Sequence, residues 1–160
     1  RDFRGNEAEV RRVLRGLLSA LAYAHGRGVI HRDVKAENVL FDAAGEPQLA
    51  DFGIALRRGY GSRVTSAGLA VGSTAYMAPE QARGEEVDPR ADLYSVGVLA
   101  WEMLTGELPS KSVAKNGLFE PPSRKALIDV RLDEVVLKAL HREPSRRYQQ
   151  VSEVRTEVEK

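Results

Sequence analysis

The residue types able to do chemistry are concentrated between His31 and Gly53, in the run HRDVKAENVLFDAAGEPQLADFG. A carboxylate (Asp33), an amine (Lys35) and an amide (Asn38) share one short polar loop with Arg32 and Glu37, and a second carboxylate, Asp51, follows directly before Phe52-Gly53. Carboxylate and amide oxygens are the ligands a hard divalent cation prefers, and an adjacent amine can neutralise a phosphate. Read one at a time, each is weak: an Asp in a loop is usually a cap or turn residue, and Asp-Phe-Gly can be a turn. The combination at this spacing is what points to a joint cation and phosphate site.

These groups need short strand ends to hold them. The apolar runs Val29–His31, Val39–Phe41 and Gln48–Ala50 read as short strands, with a turn at Asp42–Pro47 between the last two. Upstream, Asn6 followed by Glu9 reads as a capping box. Val10, Val13, Leu14, Leu17, Leu18 and Leu21 then recur at helical spacing, which predicts a helix over 7–25 stopped by Gly26 and Gly28. His25 is expected to be no more than an end residue compatible with the helix dipole. Downstream, Ile54–Gly72 has no sustained period and reads as a long loop. A short helical turn is expected after Pro79. Asp88-Pro89 predicts a helix start, and Arg90–Thr105 is apolar nearly all round, which marks a buried helix ended by Gly106. A carboxylate on such a helix, Asp92, needs hydrogen-bond partners. Leu108–Arg124 reads as a proline-bearing loop. Leu132, Val135, Val136, Ala139 and Leu140 predict a further helix broken by Pro144, and Val151, Val154 and Val158 predict a last one. The fold class expected is mainly α with short β hairpins.

With 160 residues, 42% hydrophobic and 29% charged, the chain is long enough for one domain with a core. A net charge of +1 gives no reason to expect nucleic acid as partner. The absence of cysteine excludes disulfides and thiolate metal sites. No apolar run approaches the roughly 20 residues of a membrane helix. The charged start, RDFRGNEAEVRR, has no apolar signal-peptide core and no initiator Met, so a beginning inside a longer protein is expected.

In the order D-x-K-x-x-N, then D-F-G, then Ala78-Pro79-Glu80, then Asp92, then Arg147 in the run EPSRRY, the chain resembles the bacterial eukaryotic-type (Hanks-type) serine/threonine protein kinases. The likeness spans about residues 7–158. It implies a kinase-like fold and, because no glycine-rich loop, no ATP-binding lysine and no partner glutamate helix occur in the 160 residues, the large helical C-lobe alone: a partial domain over 1–160. The resemblance implies roles. Asp33 would orient the substrate hydroxyl, and Lys35 would neutralise the transferred phosphoryl, in the serine/threonine pattern. Asn38 and Asp51 would hold Mg²⁺ (Mn²⁺ as the alternative), and Leu40 would lie under the adenine of ATP. His31, Arg32, Phe52, Gly53, Glu80, Asp92 and Arg147 would be structural supports, with Glu80 and Arg147 as a buried ion pair. Ser73 would contact the catalytic pair, Thr74 being the less favoured occupant. Thr65 and Ser66 would be phosphosites facing Arg32.

The expected partners are ATP, a protein substrate with Ser or Thr, and the missing N-lobe of the same protein, with no nucleic acid and no membrane segment in this chain. A cytoplasmic location is expected, an anchor elsewhere in the full-length protein being compatible with it. Ala36 departs from the proline common in the family, and Lys111–Arg124 replaces a region where kinases often carry a docking helix. The isolated chain is expected to have negligible kinase activity. Two rival readings share the fold: a pseudokinase or regulatory scaffold, and a small-molecule phosphotransferase, which would not be expected to carry the Ala78-Pro79-Glu80 run with a distant Arg.

Overall fold

The computed structural model describes residues 3, 6–52, 74–109 and 119–160. Five helices, four short 3₁₀ turns and one hairpin make up its regular structure among the described residues. The helices are α1 (Glu7–Gly26), α2 (Pro79–Ala82), α3 (Arg90–Thr105), α4 (Val130–Ala139) and α5 (Val151–Glu159). The strands β1 (Val39–Phe41) and β2 (Pro47–Leu49) pair antiparallel, Leu40 opposite Gln48.

The apolar stripe of α1 is buried from Val10 to Ala24, and the helix packs against α5, α3 and β2. Its start differs from a full capping box. The Asn6 side chain accepts from the Glu9 amide at 3.1 Å, but the Asn6 N–H is taken by the Phe3 carbonyl, and the Glu9 carboxylate turns outward to Arg12 at 2.6 Å. Its end is a Schellman arrangement: Val29 N–H reaches the Ala24 carbonyl and Gly28 N–H the His25 carbonyl, with Gly28 at φ +78°. This sharp stop brings the chain straight back towards α3. Val29–His31 is therefore not a strand, as the apolar run suggested. The Val29 N–H goes to the Ala24 carbonyl at the helix end and the His31 N–H to the Asp92 side chain, and neither goes to a neighbouring strand.

Helix α3 is the axis of the molecule. Residues 91–101 and 103–105 are buried, and the Trp101 indole N–H donates to the Glu120 carbonyl at 2.9 Å. The start is the one the Asp-Pro signal predicts: the Asp88 side chain accepts the Arg90 amide at 2.8 Å, and Pro89, at φ −55° and ψ −23°, already has helical backbone ahead of Arg90. Two close approaches demand glycine. A Cβ on Gly97 would sit 2.9 Å from the Ala139 Cβ, so α3 and α4 meet nearly backbone to backbone. A Cβ on Gly16 would meet the Pro47 ring at 2.5 Å, so the hairpin lies directly on α1. Arg12 adds hydrogen bonds to the Gly45 carbonyl and Glu46, fixing the hairpin tip. Within the proline-bearing segment, Pro122–Arg124 forms a 3₁₀ turn.

Candidate functional site

The polar loop between α1 and β1 is held by a carboxylate on the buried axis. Asp92, 1% exposed, accepts the backbone N–H of His31 at 2.8 Å through Oδ2 and that of Arg32 at 2.9 Å through Oδ1. His25 donates from Nε2 to the same Oδ2 at 2.8 Å. His25 is thus more than an end residue of α1. It meets Asp92, 67 residues further along the chain, a partner that sequence spacing could not reveal.

His31 is fully buried and uses both ring nitrogens. Nδ1 accepts from the Asp33 amide at 3.0 Å, so the proton resides on Nε2, which donates to the Ala50 carbonyl at 2.7 Å. The ring also meets Phe52 edge-on, with centroids 4.4 Å apart. One imidazole therefore ties the residue bearing the first carboxylate to the residue preceding the second.

Around Asp33 the chemistry-bearing groups converge. Lys35 Nζ lies 3.5 Å from Asp33 Oδ2, and the Asn38 amide nitrogen donates to the Asp33 carbonyl at 2.7 Å and to Oδ2 at 3.3 Å. With its nitrogen committed there, Asn38 has its oxygen left as the atom suited to a cation. The Asn38 carbonyl accepts the Ala50 amide at 2.8 Å, which sets the segment leading into Asp51 beside the 3₁₀ turn carrying Asn38. Asp33 has 38% of its side chain exposed and Lys35 13%, so the carboxylate is reachable and the amine is packed beneath it. Asp51 and Leu40 are exposed as well. Oxygen donors from Asn38 and Asp51 on adjoining segments match what Mg²⁺ takes from a protein.

Two non-glycine residues among those described have left-handed backbone, Arg32 at φ +74° and Asp51 at φ +66°. Each flanks or is one of the polar groups just described. Such conformations cost of order 1 kcal/mol or more and persist only where surrounding contacts impose them.

Residues 74–82 dock on the same region; the expected loop at 54–72 lies outside the described residues. Gln81 of α2 donates from Nε2 to the Arg32 carbonyl at 2.6 Å, while its Oε1 accepts from Ala78 N at 3.3 Å. Tyr76 donates its hydroxyl to Glu102 of α3, and its carbonyl accepts from Ser95 Oγ at 2.7 Å. Burial, reinforced by the bond to Glu102, pushes the Tyr76 phenol well above its ordinary range, so it stays a donor. Neither Gln81 nor the Tyr76–Glu102 pair was singled out in the sequence. An acid inside the apolar run of α3 was the available signal for Glu102; Gln81 offered none.

Glu80 and Arg147 form a buried bidentate pair with both contacts at 2.7 Å. Arg147, 2% exposed, spends its remaining N–H groups on the carbonyls of His141, Arg90 and Arg142, and its guanidinium lies over the Tyr94 ring. Burial alone would raise the Glu80 carboxyl, but the hydrogen bonds and charge of Arg147 hold it below its ordinary value. The pair fastens α2 to the turn before α5. Gly53, Thr65, Ser66, Ser73 and the Thr74 side chain lie outside the described residues.

The protein kinase domain model matches residues 2–158. The chain belongs to the protein kinase family. It is 43% identical over 148 residues to serine/threonine-protein kinase PknB of Mycobacterium leprae, covering 87% of this chain and 24% of that one. It is 44% identical over 145 residues to PknL of Mycobacterium tuberculosis, covering 85% and 36%. A probable serine/threonine-protein kinase of Streptomyces coelicolor is 40% identical over 155 residues, covering 90% and 23%. Among solved structures, the PknI kinase domain of Mycobacterium tuberculosis superimposes with a TM-score of 0.74 at 30% identity, covering 98% of this chain and 55% of that domain. The chain thus spans about a quarter to a third of the curated relatives' length and about half of a solved kinase domain. The mainly helical, kinase-like architecture expected from the sequence is the one observed, and the relatives are bacterial serine/threonine kinases. Among the described residues no helix is long and apolar enough to cross a membrane.

Proposed function

We propose that this chain is the large-lobe part of a serine/threonine protein kinase that transfers the γ-phosphoryl group of ATP to a protein hydroxyl. The convergence of Lys35 and Asn38 on Asp33, in a loop fixed by buried Asp92, is the observation that carries the reading. Asp33 accepts a hydrogen bond from the incoming Ser or Thr hydroxyl and aims its oxygen at the γ-phosphorus; as that oxygen bonds, the bond from the phosphorus to the bridging oxygen breaks, ADP leaves, and the hydroxyl proton passes towards the carboxylate. Lys35, packed 3.5 Å from the same carboxylate, lies against the charge developing on the transferred phosphoryl. Asn38 and Asp51 would hold Mg²⁺, which when bound supplies positive charge against the ATP phosphates. Exposed Leu40 presents an apolar surface for the adenine. Asp33 is open enough for a protein segment to reach it, and its neighbours already hold its orientation.

The glycine-rich loop and phosphate-binding lysine would come from residues outside these 160, in the same protein, together with the other wall of the nucleotide cleft. Phosphorylation at Thr65 or Ser66, read by Arg32, is part of the proposal, as is a Ser73 contact to the catalytic pair. The test is transfer from labelled ATP with Mg²⁺ by the full-length protein. Label is expected on Ser and Thr of a generic basic protein and none on an aminoglycoside. Label on the aminoglycoside alone would favour the small-molecule phosphotransferase, and ATP binding without transfer would favour the pseudokinase.

A further inference from the structure

The peptide unit joining Arg32 to Asp33 is gripped at both ends. Its N–H donates to His31 Nδ1 at 3.0 Å, and its carbonyl accepts from Gln81 Nε2 at 2.6 Å. The preceding peptide is anchored by the Arg32 N–H on Asp92 at 2.9 Å. These tethers surround a residue at φ +74°, a conformation an arginine does not adopt without restraint. Rotation of the 32–33 peptide changes the ψ of Arg32 and the φ of Asp33, and so swings the Asp33 carboxylate. Two of the three tethers, His31 and Asp92, are buried and belong to the loop itself or to the buried axis. Gln81 is different: it is half-buried, sits on α2, and is joined through Oε1 to the amide of Ala78, directly before that helix.

We propose that Gln81 is a positioning residue for phosphoryl transfer, its amide donating to the Arg32 carbonyl to fix the direction of Asp33 and coupling that direction to the docking of residues 74–82. This rests on the reading of Asp33 as the group that orients the hydroxyl. The donor is the essential half. A side chain that only accepts would face the Arg32 carbonyl with like partial charge, while one that only donates would still hold it.

Three variants of the full-length protein separate these roles. Gln81→Met keeps the length without polar atoms, Gln81→Glu keeps only an acceptor, and Gln81→Lys keeps only a donor. The expected result is that Gln81→Met and Gln81→Glu lower kcat about tenfold, the loss of roughly one well-placed hydrogen bond in the transition state, with the KM for ATP unchanged. Gln81→Lys is expected to recover most of that loss. Hydrogen exchange of peptides covering residues 29–36 is expected to quicken in the Met and Glu variants and not in the Lys variant. Equal kcat in all three, or a loss shared by the Lys variant with exchange at 29–36 unchanged, would overturn the proposal. A wild-type protein that transfers no phosphoryl group would overturn the reading of Asp33 and the catalytic half with it; the exchange measurement would then still decide whether Gln81 clamps the loop.

Discussion

Replacing Asp92 with asparagine separates charge and acceptor capacity from shape at the point where the buried axis holds the loop that carries Asp33. The carboxylate accepts three hydrogen bonds, two on Oδ2 from His31 N–H and His25 Nε2 and one on Oδ1 from Arg32 N–H. An amide has one oxygen. Placed at the Oδ1 position, it satisfies Arg32 but turns an NH₂ towards the His31 N–H, which cannot become an acceptor. Flipped, it strands Arg32 instead. His25 can adapt by moving its proton to Nδ1; a backbone N–H cannot. At a site 1% exposed, at least one donor is left without a partner. Such a group costs about 1–3 kcal/mol, and the remaining bonds lose the strengthening of a charged acceptor, for a total of about 2–4 kcal/mol. For a domain of this size that lowers Tm by roughly 5–15 °C. Calorimetry of the domain's transition in the full-length protein measures it, and hydrogen exchange at residues 31–33 localises it. A variant within about 1 °C of wild type, with exchange unchanged at those amides, would refute the view that Asp92 holds this loop.

Glu80→Gln removes the charge facing a buried arginine, and the expected destabilisation is about 3–5 kcal/mol, readable from urea unfolding. Because the Glu80 carboxyl is held below its ordinary value by Arg147, its contribution is fully present above about pH 4.5 and is lost as the pH falls through the lowered value. The wild type should therefore lose stability on acidification more steeply than Glu80→Gln; parallel curves would contradict the assignment. Gly97→Ala places a methyl 2.9 Å from Ala139 Cβ and should cost about 1–3 kcal/mol by overpacking. Adding Ala139→Gly should restore part of that loss, a coupling that a double-mutant cycle measures; simple additivity would argue against the close α3–α4 approach.

The sequence carried the helices well because their burial is periodic: the apolar stripe of α1, the all-round apolar α3 and the valine positions of α5 are where the spacing places them. It failed where tertiary partners replace local rules. Val29–His31 looks like a strand until its amides are seen bonded to Ala24 and Asp92. Glu9 looks like half of a capping box until Arg12 takes its carboxylate. Of the site, Asp33, Lys35 and Asn38 were visible because they are close in the chain and their types are chemically specific. His25 finds its partner in Asp92 and Gln81 finds its partner in the Arg32 carbonyl, each remote in sequence, and an ordinary polar side chain on a helix announces nothing about where the fold will aim it. Asp92 stood between these cases, since a carboxylate in an apolar helix demands partners without naming them.

The central claim is that Asp33 directs a protein hydroxyl onto the ATP phosphorus. Asp33→Asn preserves the shape and removes the acceptor charge, and the most direct measurement is the kcat of the full-length variant with Mg²⁺-ATP and a Ser/Thr protein substrate. The expected result is a loss of about 10²–10⁴-fold with ATP affinity unchanged, the range a positioned general base supplies. A variant that transfers phosphate at the wild-type rate would contradict the account.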